Sequence, residues 1–298
     1  MTPKMAMAIA ADISAAIAAP FILQAQRPVS GGSINTTYVV ADHNGIQYFV
    51  KLNSADRAAM FEAEAAGLRE LAQPNIVRVP QPVCHGITAG SAYLAMEYID
   101  LSGDNSAQNQ ARLGHQLAQL HRITAPRYGW RTNNTLGTTP QINVGHDHWL
   151  HFWREQRLGF QLSLAAHNGY SGALQRKGEK LLADMAVFFT NYEPPPSLLH
   201  GDLWSGNYGI GPGGTPVIFD PAVYYGDRET DLAMTGLFGG FSENFYHAYQ
   251  EAYPLDAGFK TRKILYNLYH ILNHLNLFGG SYLRQAEHMM DNLLGEIH

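Results

Sequence analysis

His200-Gly201-Asp202-Leu203-Trp204-Ser205-Gly206-Asn207, followed by Phe219-Asp220-Pro221, is the stretch that decides the fold. Short apolar segments flank its polar loop: 197–199 before it, 208–210 and 216–219 after it, with the turn Gly211-Pro212-Gly213-Gly214 between the last two. A polar loop anchored by apolar strands is a common place for binding and chemistry. Asp202 and Asn207 stand in the spacing D-x-x-x-x-N, and Asp220 follows across a hairpin. Either aspartate alone reads as a turn or cap residue. Together, H-G-D-x-x-x-x-N and then strand, turn, strand and Asp read as phosphoryl-transfer machinery. That chemistry asks little covalent work of a protein, which must position ATP, neutralise charge and accept a proton. Asp202 is the expected acceptor of the hydroxyl proton. Asn207 and Asp220 are hard oxygen donors of the kind Mg2+ prefers, and the ion would offset repulsion between the two aspartates.

Upstream, 36–40 and 46–52 read as strands joined by the turn Asp42-His43-Asn44-Gly45. Residues 55–71 read as a helix that Ser54 or Asp56 could cap, and 83–87 and 92–98 as further strands. Lys51 ends a strand, where it would reach the α- and β-phosphates. Glu64 on the following helix would hold it by an ion pair, in preference to Glu62, which lies on another helical face. Ser30-Gly31-Gly32-Ser33 precedes that strand, so Gly31, Gly32 and Ser33 would cover the phosphates with backbone N–H groups. Met96-Glu97-Tyr98-Ile99 ends this region where backbone groups of Glu97, Tyr98 and Ile99 would meet adenine. Beyond a polar link at 99–105 the pattern turns helical: 107–122, 149–168, 173–191 and most of the chain from 229 onward. The expected architecture is α+β and bilobal, protein-kinase-like. A small antiparallel ATP-binding lobe spans residues 1–98, and a larger helical lobe with the catalytic loop and acceptor pocket spans 99–298.

Composition agrees with an enzyme of two lobes. The chain has 298 residues, 46% apolar and 15% charged, enough for a large core and too apolar for disorder. Net charge is −5, with no Lys/Arg run, which argues against a nucleic-acid or membrane-surface partner. The lone Cys84 excludes an intrachain disulfide and favours a reducing, cytoplasmic setting. The alanine-rich stretch after Lys4 is broken by Asp12, and Ile9, Ile13 and Ile17 recur every four residues. It therefore reads as an amphipathic helix and not a signal peptide, and no apolar run is long enough to span a bilayer.

The whole chain resembles the fructosamine kinase, or ketosamine-3-kinase, family, a branch of the aminoglycoside phosphotransferase-like kinases. The resemblance rests on H-G-D-L-W-S-G-N at 200–207, whose Trp-Ser pair is more particular than the wider motif. It rests also on D-P-A-V-Y-Y-G-D-R-E-T-D-L-A-M at 220–234, Gly31-Gly32-Ser33-Ile34-Asn35, and Leu272-Asn273-His274-Leu275-Asn276-Leu277-Phe278-Gly279. It implies phosphorylation of the sugar 3-hydroxyl of ketoamines, free or on glycated proteins, giving an unstable phosphate and hence deglycation. It implies that Asn35 belongs with Lys51 and Glu64 on the ATP side, and that Trp204 and His274 lie in the sugar pocket. Many relatives carry Cys where this chain has Ser33, so a redox switch through that thiol is not available here. Pro221 stands where a protein kinase has the Phe of D-F-G, which fits the small-molecule branch.

Trp204 could stack on a sugar face or simply fill a core. His270, Asn273 and His274 form a polar stripe that would bond substrate hydroxyls or belong to a buried network. In the cluster Asp227, Arg228, Glu229 and Asp231, the expectation is that Asp231 holds catalytic-loop backbone and Arg228 pairs with a carboxylate. Asp227 is the candidate for a substrate amine. His146, His148 and His151 lack a clear fourth ligand for zinc. The glycines at 209–214 precede a strand and not a helix, so they mark a hairpin and not a dinucleotide site. The alternatives to a ketosamine kinase are a kinase of another alcohol (aminoglycoside, choline or amino-sugar) and a nucleotide-binding pseudokinase scaffold.

Overall fold

The computed structural model describes residues 1–29 and 34–297, and it divides into two compact units. The first comprises Met1–Asp104 and Gly209–Asp220; the second comprises Asn105–Tyr208 and Pro221–His298.

The first unit is built on one antiparallel sheet of five strands: β1 (Leu23–Val29), β2 (Thr36–Asp42), β3 (Gln47–Ser54), β4 (Pro82–Thr88) and β5 (Ser91–Glu97). Their spatial order is β1-β2-β3-β5-β4. Side chains alternate across a strand, and the sequence uses both faces. Val50 and Leu52 of β3, with Tyr93 and Ala95 of β5, pack against Met5, Ile9, Ala10 and Ile13 of helix α1 (Pro3–Ile17). Thr2 caps α1, accepting a hydrogen bond from the Met5 N–H. Lys51 points to the other face, where helix α2 (Ala58–Ala72) lies. A short 3₁₀ turn, Ala55–Arg57, precedes α2, and neither Ser54 nor Arg57 makes a side-chain cap. A separate hairpin, Tyr208–Gly211 with Thr215–Ile218, brings Val217 alongside Arg78 and delivers Asp220.

The second unit is mainly helical. Ala107–Leu120, Ala173–Asp184, Glu229–Thr235, Glu243–Ala252, Phe259–Phe278 and Tyr282–Glu296 are its principal helices besides the segment 149–167. That segment is helical throughout but loosens to a π-helical turn at Trp153–Gly159. Two small strand pairs complete it: Asn134–Leu136 with Thr139–Gln141, and Ser197–Leu199 with Tyr224–Gly226. Phe259–Phe278 is the central helix and buries Leu265, Tyr266, Leu268, Tyr269, Ile271, Leu272 and Leu275. No helix among the described residues is long and apolar enough to cross a membrane.

Candidate active site

In the first unit, Lys51 is the centre of an ion cluster. It is 3% exposed, and its Nζ donates to Glu64 Oε1 at 2.6 Å and to Asp220 Oδ1 at 2.5 Å. Glu64 rather than Glu62 takes this place because it continues the inward stripe Phe61–Glu64–Leu68–Leu71 of α2, whereas Glu62 is exposed. Burial works against the Lys51 charge, but the two carboxylates outweigh it and hold the ammonium protonated. One cation between two carboxylates leaves an excess negative charge. Burial and the nearby Asp220 charge accordingly raise the Glu64 pKa, although Lys51 opposes the shift. Asp220 sits at φ +57°, a left-handed conformation uncommon outside glycine. Its side chain is 43% exposed, so it is both constrained in backbone and accessible.

Asn35 accepts a hydrogen bond from Asn53 Nδ2 at 2.8 Å, which ties it to the end of β3. Gly31, Gly32 and Ser33 lie outside the described residues. At the end of β5, Glu97 pairs through its carboxylate with Arg78 and accepts from the Gln81 N–H, while the Tyr98 hydroxyl accepts from Arg27. With those side chains engaged, contact between adenine and the 97–99 segment would fall to the backbone.

In the second unit, the catalytic-loop sequence is held from beneath by Asp231. This carboxylate is 1% exposed and accepts from the backbone N–H groups of His200 and Gly201, each at 2.8 Å. His121 Nε2 lies 3.2 Å from the same carboxylate, and Tyr249 meets the other His121 nitrogen at 2.8 Å. Burial alone would raise the Asp231 pKa; the His121 bond and charge, the His200 charge and the Gly201 N–H together hold it below the usual range. Gly201 has φ +83°, and a Cβ there would stand 2.0 Å from the Ala222 carbonyl oxygen, so only glycine fits. Asn207 Nδ2 donates to the Asp202 carbonyl at 2.8 Å and to its Oδ2 at 3.3 Å. The D-x-x-x-x-N spacing thus closes a compact turn in which the amide orients the carboxylate. Trp204 is 37% exposed beside this turn.

A family profile described as fructosamine kinase matches residues 5–296. This chain belongs to the fructosamine kinase family. It is 46% identical to a "Probable ketoamine kinase" of Synechocystis sp., with 98% of each chain covered. It is 44% identical to a chloroplastic protein-ribulosamine 3-kinase of Arabidopsis thaliana, over 89% of this chain and 81% of the relative. A crystal structure from Haemophilus somnus, assigned as a fructosamine-3-kinase, superposes with a TM-score of 0.89 at 29% identity, covering 98% of both chains. Aminoglycoside phosphotransferase APH(4)-Ia shares the fold at 12% identity, with a TM-score of 0.64. The protein-kinase-like α+β fold expected from the sequence is the fold of this family.

Each unit carries a hard oxygen donor of the kind a magnesium ion takes: the Asp220 carboxylate in the first and the Asn207 amide in the second. Other expectations change. Asp227 is fully enclosed: it accepts from the Tyr192 and Tyr266 hydroxyls and the Glu229 N–H. It anchors a helix start and cannot meet an acceptor amine. Among the described residues Arg228 pairs with no carboxylate; it donates to the Tyr249 hydroxyl and to the carbonyls of Tyr253 and Pro254, and stacks on the Tyr253 ring at 3.6 Å. Arg262 makes the carboxylate pair instead, to Glu229 at 2.8 and 3.1 Å. Along the central helix, Asn273 is buried, donating to the Leu136 carbonyl and accepting from Gln161, whereas His274 is half-exposed.

Proposed function

We propose that this chain is an ATP- and Mg2+-dependent ketosamine kinase that phosphorylates the 3-hydroxyl of the sugar in a ketoamine such as a fructosamine or ribulosamine adduct. The observation that carries phosphoryl transfer is Lys51, buried between Glu64 and Asp220. A buried ammonium between two carboxylates, one accessible, is an arrangement for holding phosphate beside a metal. The ketoamine acceptor follows from the names of the relatives and from membership of the fructosamine kinase family.

In this reading the 1–98 region is the ATP-binding part, and the catalytic loop and acceptor pocket belong to the part beyond it. Lys51 neutralises the α- and β-phosphates, and Glu64 fixes its ammonium. Asp202 accepts the proton of the sugar hydroxyl as its oxygen attacks the γ-phosphorus and the bond to the β–γ bridging oxygen breaks, releasing ADP. Asn207 orients Asp202, and Asp231 fixes the backbone on which both depend. Asn207 and Asp220 would hold magnesium, which when bound neutralises charge on the phosphate oxygens. Gly31, Gly32 and Ser33 cover the phosphates, Asn35 ties that loop to β3, and the 97–99 backbone meets adenine. Trp204 and His274 face the sugar. The partner is therefore a small ketoamine or a glycated protein.

The test is ADP release from MgATP with and without a fructose- or ribulose-lysine adduct, run alongside Asp202→Ala. Ketoamine-dependent turnover that falls ~10²–10⁴-fold in the variant is expected. No ketoamine-dependent release from a protein that binds MgATP normally would refute the acceptor. Turnover of an aminoglycoside, choline or amino-sugar instead would keep the phosphotransfer and change the substrate. Full activity in Asp202→Ala would contradict the mechanism.

A further inference from the structure

An exposed row of rings runs along the second unit from the catalytic loop to the end of the central helix. The Trp204 and Phe238 centroids lie 6.2 Å apart, Phe238 and His274 5.1 Å, and His274 lies 5.6 Å from Phe278 and 5.2 Å from Tyr282. Phe238 is 43% and Phe278 53% exposed, so each ring keeps a large part of its surface open to solvent. The loop that carries Phe238 is seated on the catalytic loop: a Cβ at Gly240, where φ is +98°, would stand 2.3 Å from the Ser205 Cβ. Phe238 therefore has a fixed place relative to Trp204 and the turn that holds Asp202.

His274 adds a polar atom of one sense. Its Nδ1 lies 2.8 Å from the His270 carbonyl oxygen, which can only accept, so the proton is on Nδ1. Nε2 is then a lone-pair acceptor that bonds no other described residue. Burial lowers the His274 pKa, with the His270 carbonyl opposing, so the ring is neutral and does not repel a cation. An acceptor nitrogen calls for a donor, and open aromatic faces attract a cation. A sugar hydroxyl answers only the first demand. A secondary ammonium answers both.

We propose that Phe238, together with His274, reads the protonated amine of the acceptor, so that the enzyme selects ketoses bearing an alkylammonium group at C1 over amine-free ketoses. This rests on the ketosamine kinase reading and deepens it. The amine adjoins C1, two carbons from the hydroxyl that is phosphorylated. A cation held at Phe238 and His274 would thus set the register of the sugar against Asp202. No carboxylate is needed for the selection, which leaves the acidic groups to the phosphate chemistry.

The experiment compares N-alkyl fructosamine with its ether isostere, 1-O-alkyl fructose, by kcat/KM and by calorimetric binding. Both are measured on wild type, Phe238→Leu, His274→Leu and His274→Gln. Wild type is expected to prefer the amine by at least ~10-fold. Phe238→Leu keeps apolar bulk but removes the aromatic face, and should shrink that preference ~3–10-fold, within the span of a cation–π contact. His274→Leu should do the same, and His274→Gln, whose Oε1 can stand in for Nε2, should recover part of it. Equal losses on both acceptors in Phe238→Leu, or no amine preference in wild type, would overturn the proposal. If wild type turned over neither acceptor yet bound the amine preferentially through Phe238, the ketosamine kinase reading would fall and the amine site would stand.

Discussion

Asp231→Asn isolates the device that shapes the catalytic loop. The carboxylate is 1% exposed and serves three donors: the N–H groups of His200 and Gly201 and the His121 ring. An asparagine of nearly the same shape brings one carbonyl oxygen and one NH2 group. The NH2 must face one of those donors, and leaving a buried N–H unpaired costs about 1–3 kcal/mol. The remaining two bonds lose their charge assistance, at roughly 0.5–1 kcal/mol each. The total is about 3 kcal/mol, which at ~2–4 °C per kcal/mol lowers the melting midpoint by ~6–12 °C. The same change frees the backbone on which Asp202 and Asn207 sit, so kcat should fall at least ~10²-fold with little change in the KM for ATP. Thermal unfolding followed by tryptophan fluorescence at pH 7.5, with turnover at 20 °C, reads both. The sign with pH is also set. Asp231 is held below the usual carboxylate range, so its contribution is present above about pH 4 and is lost as pH falls through its folded value. The gap between wild type and variant should therefore close in acid. A midpoint within 2 °C of wild type, or a gap that does not narrow in acid, would refute the reasoning.

Lys51→Met removes the cation between Glu64 and Asp220, and breaking a buried pair from one side costs about 3–5 kcal/mol. ADP release should drop ~10²–10³-fold, whereas Glu62→Gln on the exposed face of α2 should stay within threefold of wild type. Gly201→Ala combines a left-handed backbone with a 2.0 Å approach to the Ala222 oxygen; a loss of more than ~2 kcal/mol and of turnover is expected in urea unfolding and ADP assays. Burial depresses the His270 pKa to about 3, against about 6.5 in the unfolded chain. Between those values only the unfolded chain takes up the proton. Stability should fall by about 2 kcal/mol from pH 7 to pH 5 through this group, and His270→Leu should flatten that part of the urea-midpoint profile.

The candidate reacting groups could be named from the sequence because phosphoryl transfer prescribes both residue type and local spacing. Asp202 and Asn207 lie within one turn and bond each other there, so a six-residue stretch of sequence contains the geometry. Lys51 and Glu64 come from a strand and the helix that follows it, and the face of α2 separates Glu64 from Glu62. Asp231 could be expected to hold backbone because a buried carboxylate at a helix start needs donors. The cluster around it was harder. Arg228 and Arg262 are both arginines near carboxylates in sequence, and only packing decides that Arg262 meets Glu229 while Arg228 turns to carbonyls and Tyr253. Strand β1 was missed for a different reason. It is an edge strand whose central residues are all exposed, so no hydrophobic alternation marks it.

Residues 131–147 are rich in polar side chains, yet they bury Asn134, Gln141 and Asn143. The structure explains why polarity misleads there. Asn134 donates to the Val223 carbonyl and Gln141 to the Ala222 carbonyl, so these side chains complete the hydrogen bonding of the segment that faces Gly201. Arg157, in the π-helical turn, donates to the Ile142 carbonyl and to Asn143 Oδ1, with its guanidinium 4.1 Å from the Tyr224 ring centroid. The π-helical turn delivers this buried cation to aromatic rings and carbonyl oxygens. A helical period of 3.6 and one with an added residue look alike over seven positions, so nothing in 149–168 announced the turn. Catalytic residues answer to local chemistry, which leaves a motif. The groups that hold their backbone in place answer to distant carbonyls, which leave none, and that is why candidates for the chemistry could be named before the packing that supports them.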